Sequence, residues 1–388
     1  IVYCYGNFSN LPDLSLACAD GKPLIIVYTK HENQIQEFVL EAAATRAVLI
    51  EAPELVRDGV ARKEARYRVK AAEDQLREYL GQIYSPGSKE ARWYASGQIC
   101  KINSYRDLSS LVSKQCDEAF KLCPKIRNEM INSERQTNAA AQASRALAEA
   151  MVAHEMEEQL GLSGFGPEVA VYRSLFKVTG LHIKKNDNWQ FVAPEKKSNP
   201  ELMEIWNRLN NEIKGNKFAT TGISIRKLMD NLKIPPFGLR EGPLPLLICH
   251  YLIVHADEIA LYQEGAYKPY FGEAEISLLI KRPELFAIKH YAYTGLGREV
   301  FQAYLQVLNT DFLNLRENVR NPSLLKIVSP LIQFMEGLPE YTRFTRNISI
   351  PAQRLRASVL NAREPIDLLF REIPEALGIE PISQNVFP

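Results

Sequence analysis

A length of 388 residues exceeds the ~100 to 200 of a usual single domain, so two or three units, each with its own core, are expected. The charge is nearly balanced, 47 basic against 46 acidic side chains for a net of +1, and 24% of residues are charged while 46% are hydrophobic. Those proportions exclude a disordered chain, a collagen repeat and a strongly basic nucleic-acid tail.

Residues 1–59 read as an α/β remnant. LIIVYT (24–29) is a continuous apolar run suited to a strand buried on both faces, and an amphipathic stretch, Glu32 to Ala44, and a short apolar run, AVLI (47–50), follow it. That order gives β-α-β, with IVYCYG (1–6) adding a strand beside it. The Gly-rich phosphate loop such a unit would need is absent: around DGKP (20–23), Leu16 stands where a P-loop has its first glycine and Pro23 where it has Ser or Thr. Any nucleotide site on this sheet is therefore expected upstream of the chain.

Residues 60–215 read as a helical domain. From Val60 to Tyr84 the residues Val69, Ala72, Leu76, Leu80 and Ile83 recur at three and four on one face, while Glu64 with Arg68 and Glu73 with Arg77 form i,i+4 pairs on the other. A long exposed helix of this kind is expected to connect subdomains. After SPGS (85–88), Trp93 to Ile102 offers strand-like material, and a helix opens at Ser104, with Asp107 as capping partner, turning Leu108, Leu111, Val112, Cys116, Ala119 and Phe120 inward. An alanine-rich helix follows over about 137–160, packing through Ala143, Leu147, Ala150 and Met151. Pro167 opens another that Gly180 stops, WQFVAP (189–194) is a strand, and a helix from Pro200 to Gly215 buries Leu202, Ile205, Leu209 and Ile213.

Within 216–294 the order is a short helix at 225–232, the turn PPFG, an all-apolar helix at 243–255, strands at 259–262 and 267–271 around a Glu264-Gly265 turn, a helix at 273–281 and a strand at 286–291. Helices followed by a hairpin resemble a winged-helix module. Residues 295–388 are expected to form a C-terminal helical domain, with helices at 297–309, 321–336, 351–361 and 365–378. The fold class is thus mainly α with small α+β parts.

Cysteines 4, 18, 100, 116, 123 and 249 are scattered, with no C-x-x-C, and read as reduced thiols of a cytoplasmic protein. The longest apolar stretch, Pro243 to Ala256, has 14 residues against the ~20 that span a bilayer, so no membrane partner is expected. The first segment lacks the features of a secretory signal, and an opening on Ile1 fits a piece of something longer.

Catalytic motifs are missing. His250 and His255 lie five apart without the glutamate of a zinc-protease motif, and Cys249 and His250 diverge by ~100° on a helix, so neither pair makes a site. Two sets of residues carry binding hypotheses. RNEMIN offers Arg127, Asn128, Glu129 and Asn132, which either grip a nucleotide phosphate or partner from another domain or cap and tether neighbouring helices. Arg226, Lys227 and Lys233 on the first helix of the winged-helix-like module, with Tyr267, Lys268 and Lys289 around its hairpin, either face nucleic acid or are solvated side chains. No metal site is read. Farther on, Arg343, Arg346, Arg354, Arg356 and Arg363 form a basic stretch in which Arg356 and Arg363, seven apart, are expected to share a helix face suited to DNA or a subunit interface.

RNEMIN (127–132), GFGPEVAVYRSLFKVTGLH (164–182), PPFGLREGPLPLL (235–247), ALYQEGAYKP (260–269), LPEYTRFT (338–345) and EPIDLLFREIPEALG (364–378) together resemble the region downstream of the P-loop domain in very large bacterial antiphage-defence ATPases of the BREX-like kind. The resemblance implies a non-catalytic region coupling ATP hydrolysis upstream to a nucleic acid, DNA foremost, or to a protein partner. ATP and Mg belong to the parent protein, no cofactor to this chain, and other defence-system subunits or further copies of the chain are possible partners. The alternative is a purely structural oligomerisation or adaptor module without nucleic-acid contact.

Overall fold

The computed structural model describes residues 1–6, 18, 21–133, 135–215, 222–256, 258–268, 271–290 and 325–381. The fold is mainly α with small α+β parts, in two compact units: Ile1–Lys121 with Ile234–Pro236, and the remainder. This division is coarser than the four segments expected.

The first unit has a sheet in the order β1 (Val2–Tyr5), β2 (Ile25–Thr29), β3 (Ala91–Ala95), β4 (Gln98–Cys100). β1 runs parallel to β2, while β3 is antiparallel to both β2 and β4. Every residue of β2 is buried: Ile25 and Val27 join one apolar cluster, Ile26 and Tyr28 another, as the two-residue period of a strand dictates. AVLI is not a strand. It continues helix α1 (Glu32–Glu51), because nothing from Ala42 onward breaks the helix before Pro53, and a short apolar run alone does not distinguish strand from helix. The expected β-α-β is thereby corrected to a parallel pair extended by an antiparallel hairpin.

After a one-turn helix α2 (Glu54–Arg57), α3 (Gly59–Ile83) begins on an Asp58 cap whose side chain accepts from the amides of Val60 and Ala61. It does not run alone as a connector. Tyr79 bonds Gln34 and stacks at 4.8 Å on Phe38, while Arg46 pairs with Glu73, so partners descend along α3 as they ascend along α1 and the two form an antiparallel hairpin. That geometry also takes Glu73 from Arg77, which turns to Asp74. α4 (Tyr105–Ala119) starts on the Ser104 cap as expected. Its inward face runs through Leu108, Leu111 and Val112 to buried Gln115, which accepts a hydrogen bond from Ser96; Cys116, expected inside, lies ~100° further round and is exposed.

The second unit opens with the turn α5 (Glu129–Asn132) and the alanine-rich α6 (Asn138–Ala153), which ends seven residues short of Leu160. Gln159 and Leu160 adopt positive φ, +52° and +57°, in a tight turn that seats Leu160 fully in the core. α7 (Pro167–Tyr172) has Pro167 in its first turn and passes through a π-helical turn over 173–177 before Gly180 at φ +66°. The hairpin β5 (His182–Lys185) and β6 (Asn188–Phe191) leads to α8 (Pro200–Gly215), which buries Leu202, Ile205, Trp206, Leu209 and Ile213.

β7 (Ile223–Ser224), α9 (Ile225–Lys233), α10 (Pro243–Val254), β8 (Ile259–Gln263), β9 (Ala266–Lys268), α11 (Glu273–Lys281) and β10 (Phe286–His290) then follow the expected order. The sheet order is β7-β10-β8-β9. Ile259, Leu261, Phe286 and Ile288 point into the large core with α6 to α10, whereas Ala260, Tyr262 and Ala287 point to a second core. That second core is closed by α12 (Leu325–Gly337), α14 (Ile350–Leu360) and the helical run 365–376 through Val328, Ile332, Val359, Leu368, Phe370 and Ile373. The short α13 (Glu340–Phe344) precedes α14. The helix expected at 297–309 lies outside the described residues.

Candidate functional site

At RNEMIN, local backbone chemistry decides the geometry. Asn128 caps α5, its side-chain oxygen accepting from the amides of Met130 and Ile131, and its Nδ2 donates to Ser174 Oγ at 3.0 Å. Asn132 donates to the carbonyl of Ile126, and Ile131 is fully buried. Gly242 lies directly on this turn: a Cβ there would come within 2.1 Å of the Ile131 carbonyl oxygen. Both asparagines are thus engaged in tying the turn to its neighbours. Arg127 and Glu129 are exposed.

Of the residues considered for nucleic acid, Arg226 pairs with Asp230 and Glu241, and Lys233 with the same two carboxylates, closing a neutral four-membered network. Lys289 pairs with Glu364 at 3.1 Å. Tyr267 is buried, 5.9 Å from the ring of Tyr262, and offers no face to a base. Lys227 is exposed and Lys268 half-buried. In a helix-turn-helix the second helix enters the major groove. Here that helix is α10, and every residue from Pro243 to Leu252 is buried.

Three of the six histidines, His182, His250 and His255, belong to an aromatic lattice that the sequence did not reveal. His182 Nε2 faces the carbonyl of Glu155 at 2.8 Å and must donate to it, so in the neutral ring Nδ1 accepts from the Tyr172 hydroxyl, also at 2.8 Å. Burial holds its pKa below the ordinary histidine value. His250 Nε2 donates to the carbonyl of Val192 at 2.9 Å. Trp206 lies 5.0 Å from His250 and 5.3 Å from His255, so the two histidines that diverge around α10 meet the same indole. Burial lowers the pKa of His255 also, against the opposing pull of Glu258, whose carboxylate stands 3.5 Å from both His255 and His290. Cys249 is wholly buried, which pushes its thiol far above the ordinary range and makes it a packing residue.

A groove of about 770 Å³ opens between α1 and α3. Val39, Ala43, Ala47 and Ile50 line one wall, Leu76 and Leu80 the other, with the Arg46–Glu73 pair at its edge. The signal for it was present in α1, where apolar residues from Phe38 to Ile50 occupy most of the helix circumference, more than α3 and the sheet can cover.

Among the described residues no helix is long and apolar enough to cross a membrane, and no three His, Cys, Asp or Glu side chains are grouped as metal ligands. Comparisons with known protein families, with curated proteins and with solved structures find no match.

Proposed function

We propose that this chain is a non-catalytic assembly module that makes protein contacts through the α1–α3 hairpin, within a larger ATPase of the bacterial-defence kind its sequence passages resemble. The observation that carries this reading is the apolar groove, left uncovered by the described residues, with Val39 at 41% and Ile50 at 75% exposure on its α1 wall. Contiguous apolar surface of this kind marks a protein contact. ATP and Mg are, on this reading, held elsewhere in the parent protein, and the winged-helix-like module is a structural core, since its second helix is enclosed and Arg226 and Lys233 are neutralised by their own neighbours.

A second copy of the chain fits the groove. Between Arg46 and Lys70 the hairpin carries seven basic against four acidic side chains, whereas 32–41 with 73–83 carry six acidic against one basic. Two hairpins related by a two-fold axis and crossing head to tail would set basic tip on acidic base while joining their apolar grooves. Light scattering over a concentration series tests this. Twice the monomer mass is expected, falling toward one when salt is raised from ~0.05 to ~0.5 M, because screening weakens the charge match. Val39→Asp with Ile50→Asp should abolish the dimer without lowering the melting temperature. A chain that stays monomeric at about 100 µM overturns the reading.

A further inference from the structure

Residues 338–363 hold five arginines, no lysine and one carboxylate, Glu340, leaving 42 basic against 45 acidic side chains in the rest of the chain. Positive charge is therefore concentrated in this segment. Elsewhere in the second unit Arg208, Arg226, Lys233, Arg282, Lys289 and Arg371 are held by carboxylates. Arg346, Arg354 and Arg363 are exposed and form no ion pair among the described residues.

The segment is built rather than loose. Arg356 does not share a face with Arg363, which lies beyond the end of α14 at Leu360; its guanidinium instead donates to the carbonyls of Thr342 and Thr345, both at 2.7 Å. Gln353 donates to the carbonyls of Arg346 and Ile348, and Ser349 caps α14. These bonds strap residues 342–348 along α14 and fix Arg346 beside the helix that carries Arg354. On α13, Tyr341 and Phe344 share one face at i,i+3 and are 77% and 70% exposed, beside half-buried Arg343, whose Nε has no partner among the described residues.

Guanidinium groups without carboxylates grip phosphate bidentately, and exposed rings next to them gain a partner only from bases already unstacked. We propose that α13, α14 and the strap between them bind single-stranded nucleic acid, with Arg346, Arg354 and Arg363 on phosphates and Tyr341 and Phe344 stacked on bases. A duplex would use the arginines but leave the rings idle. This site is distinct from the hairpin contact and does not depend on it.

Fluorescence anisotropy of the 388-residue chain with a labelled oligothymidine of about 20 nucleotides, from ~50 to ~200 mM salt, tests the proposal. The combined Arg346→Ala, Arg354→Ala and Arg363→Ala variant should bind at least tenfold more weakly. Its salt dependence should be shallower by about 2 in log–log slope, at ~0.7 for each phosphate no longer neutralised. Tyr341→Ala with Phe344→Ala should lose about tenfold or more for the oligothymidine and nothing for heparin, a polyanion without bases. Lys227→Ala with Lys268→Ala should change neither. Absence of binding by the unaltered chain at tens of micromolar, equal binding by the arginine variant, or a duplex of the same length binding as tightly as the single strand would each overturn it. All the substituted side chains are exposed or half-buried, and unchanged melting temperatures would confirm that the fold survives.

Discussion

Helices α1 and α10 both carry apolar side chains around most of their circumference, and they meet opposite fates. α10 is enclosed by α6, α9, α11 and β6, with Leu244, Leu246, Ile248 and Tyr251 fully buried. Among the described residues α1 has α3 and one face of a four-stranded sheet beside it, buries Ile35 and Ala42, and leaves Leu40, Val48 and Ile50 mostly in solvent. An apolar circumference predicts enclosure. What it does not say is whether the chain itself supplies the cover, and on the proposed reading the difference between these helices is the difference between a core and a contact surface.

The largest expected effect lies on the enclosed side. Leu246→Ala should cost about 2–5 kcal/mol in urea denaturation, since the cavity it leaves is surrounded by packed side chains. Ile50→Ala on α1 should stay within about 0.5 kcal/mol while weakening self-association. Equal costs at the two positions would erase the distinction. Gly242→Ala comes next, at about 1–3 kcal/mol, because its new methyl group meets the Ile131 carbonyl and either the α10 approach or the α5 turn must move. A melting temperature unchanged by this substitution would mean that the two segments are not held against each other.

Much of this contrast was legible in the sequence where periodicity is strong. Leu202, Ile205, Leu209 and Ile213 are buried as their spacing required, and the order from α9 to β10 follows from apolar runs separated by Pro236, Gly238 and the Glu264-Gly265 turn. AVLI was misread because four apolar residues carry no period, and Cys116 because an inward face defined by Leu108 and Leu111 continues to a polar residue, Gln115. The candidate site was less legible still. Charge counts along a sequence place Arg226 and Lys233 beside Arg354 without saying that Asp230 and Glu241 fold back onto the first two. Neutralisation is a property of packing, as is the loss of the Tyr267 ring to the second core.

Protonation should separate the two units by sign. His182 and His255 in the second unit are held below the ordinary value of 6.5 by burial, so below about pH 6.5 the unfolded chain takes protons that the folded one refuses. Their contribution to stability is complete above that pH and is lost as pH falls from it toward their depressed values, at up to ~1.4 kcal/mol per pH unit per histidine. In the first unit His31 is shifted upward by its hydrogen bond to Glu90, so its contribution is present below 6.5 and fades as pH rises through the raised value; its exposure keeps that small. Trp93 reports on the first unit, Trp189 and Trp206 on the second, so fluorescence-monitored urea curves of a Trp93→Phe variant isolate the larger effect. Stability of the second unit that did not fall between pH 6.5 and 5 would show that these rings are not buried as neutral groups.

The smallest effect concerns the network on α9. Its four side chains are 25% to 50% exposed, and ion pairs of that kind are each worth about 0.2–1 kcal/mol, so Glu241→Gln should lower stability by less than ~1 kcal/mol. The same change leaves Asp230 alone to balance Arg226 and Lys233. If intramolecular pairing is what silences this face, low-salt affinity for an oligonucleotide should rise, though by less than about fivefold, the equivalent of ~1 kcal/mol. Arg354→Glu, on the surface whose exposed arginines form no ion pair among the described residues, should move affinity the other way and further. A Glu241→Gln variant that outbinds the unaltered chain by more than the arginine substitution weakens it would return the nucleic-acid face to α9, and would make the carboxylates of Asp230 and Glu241 its lock rather than its replacement.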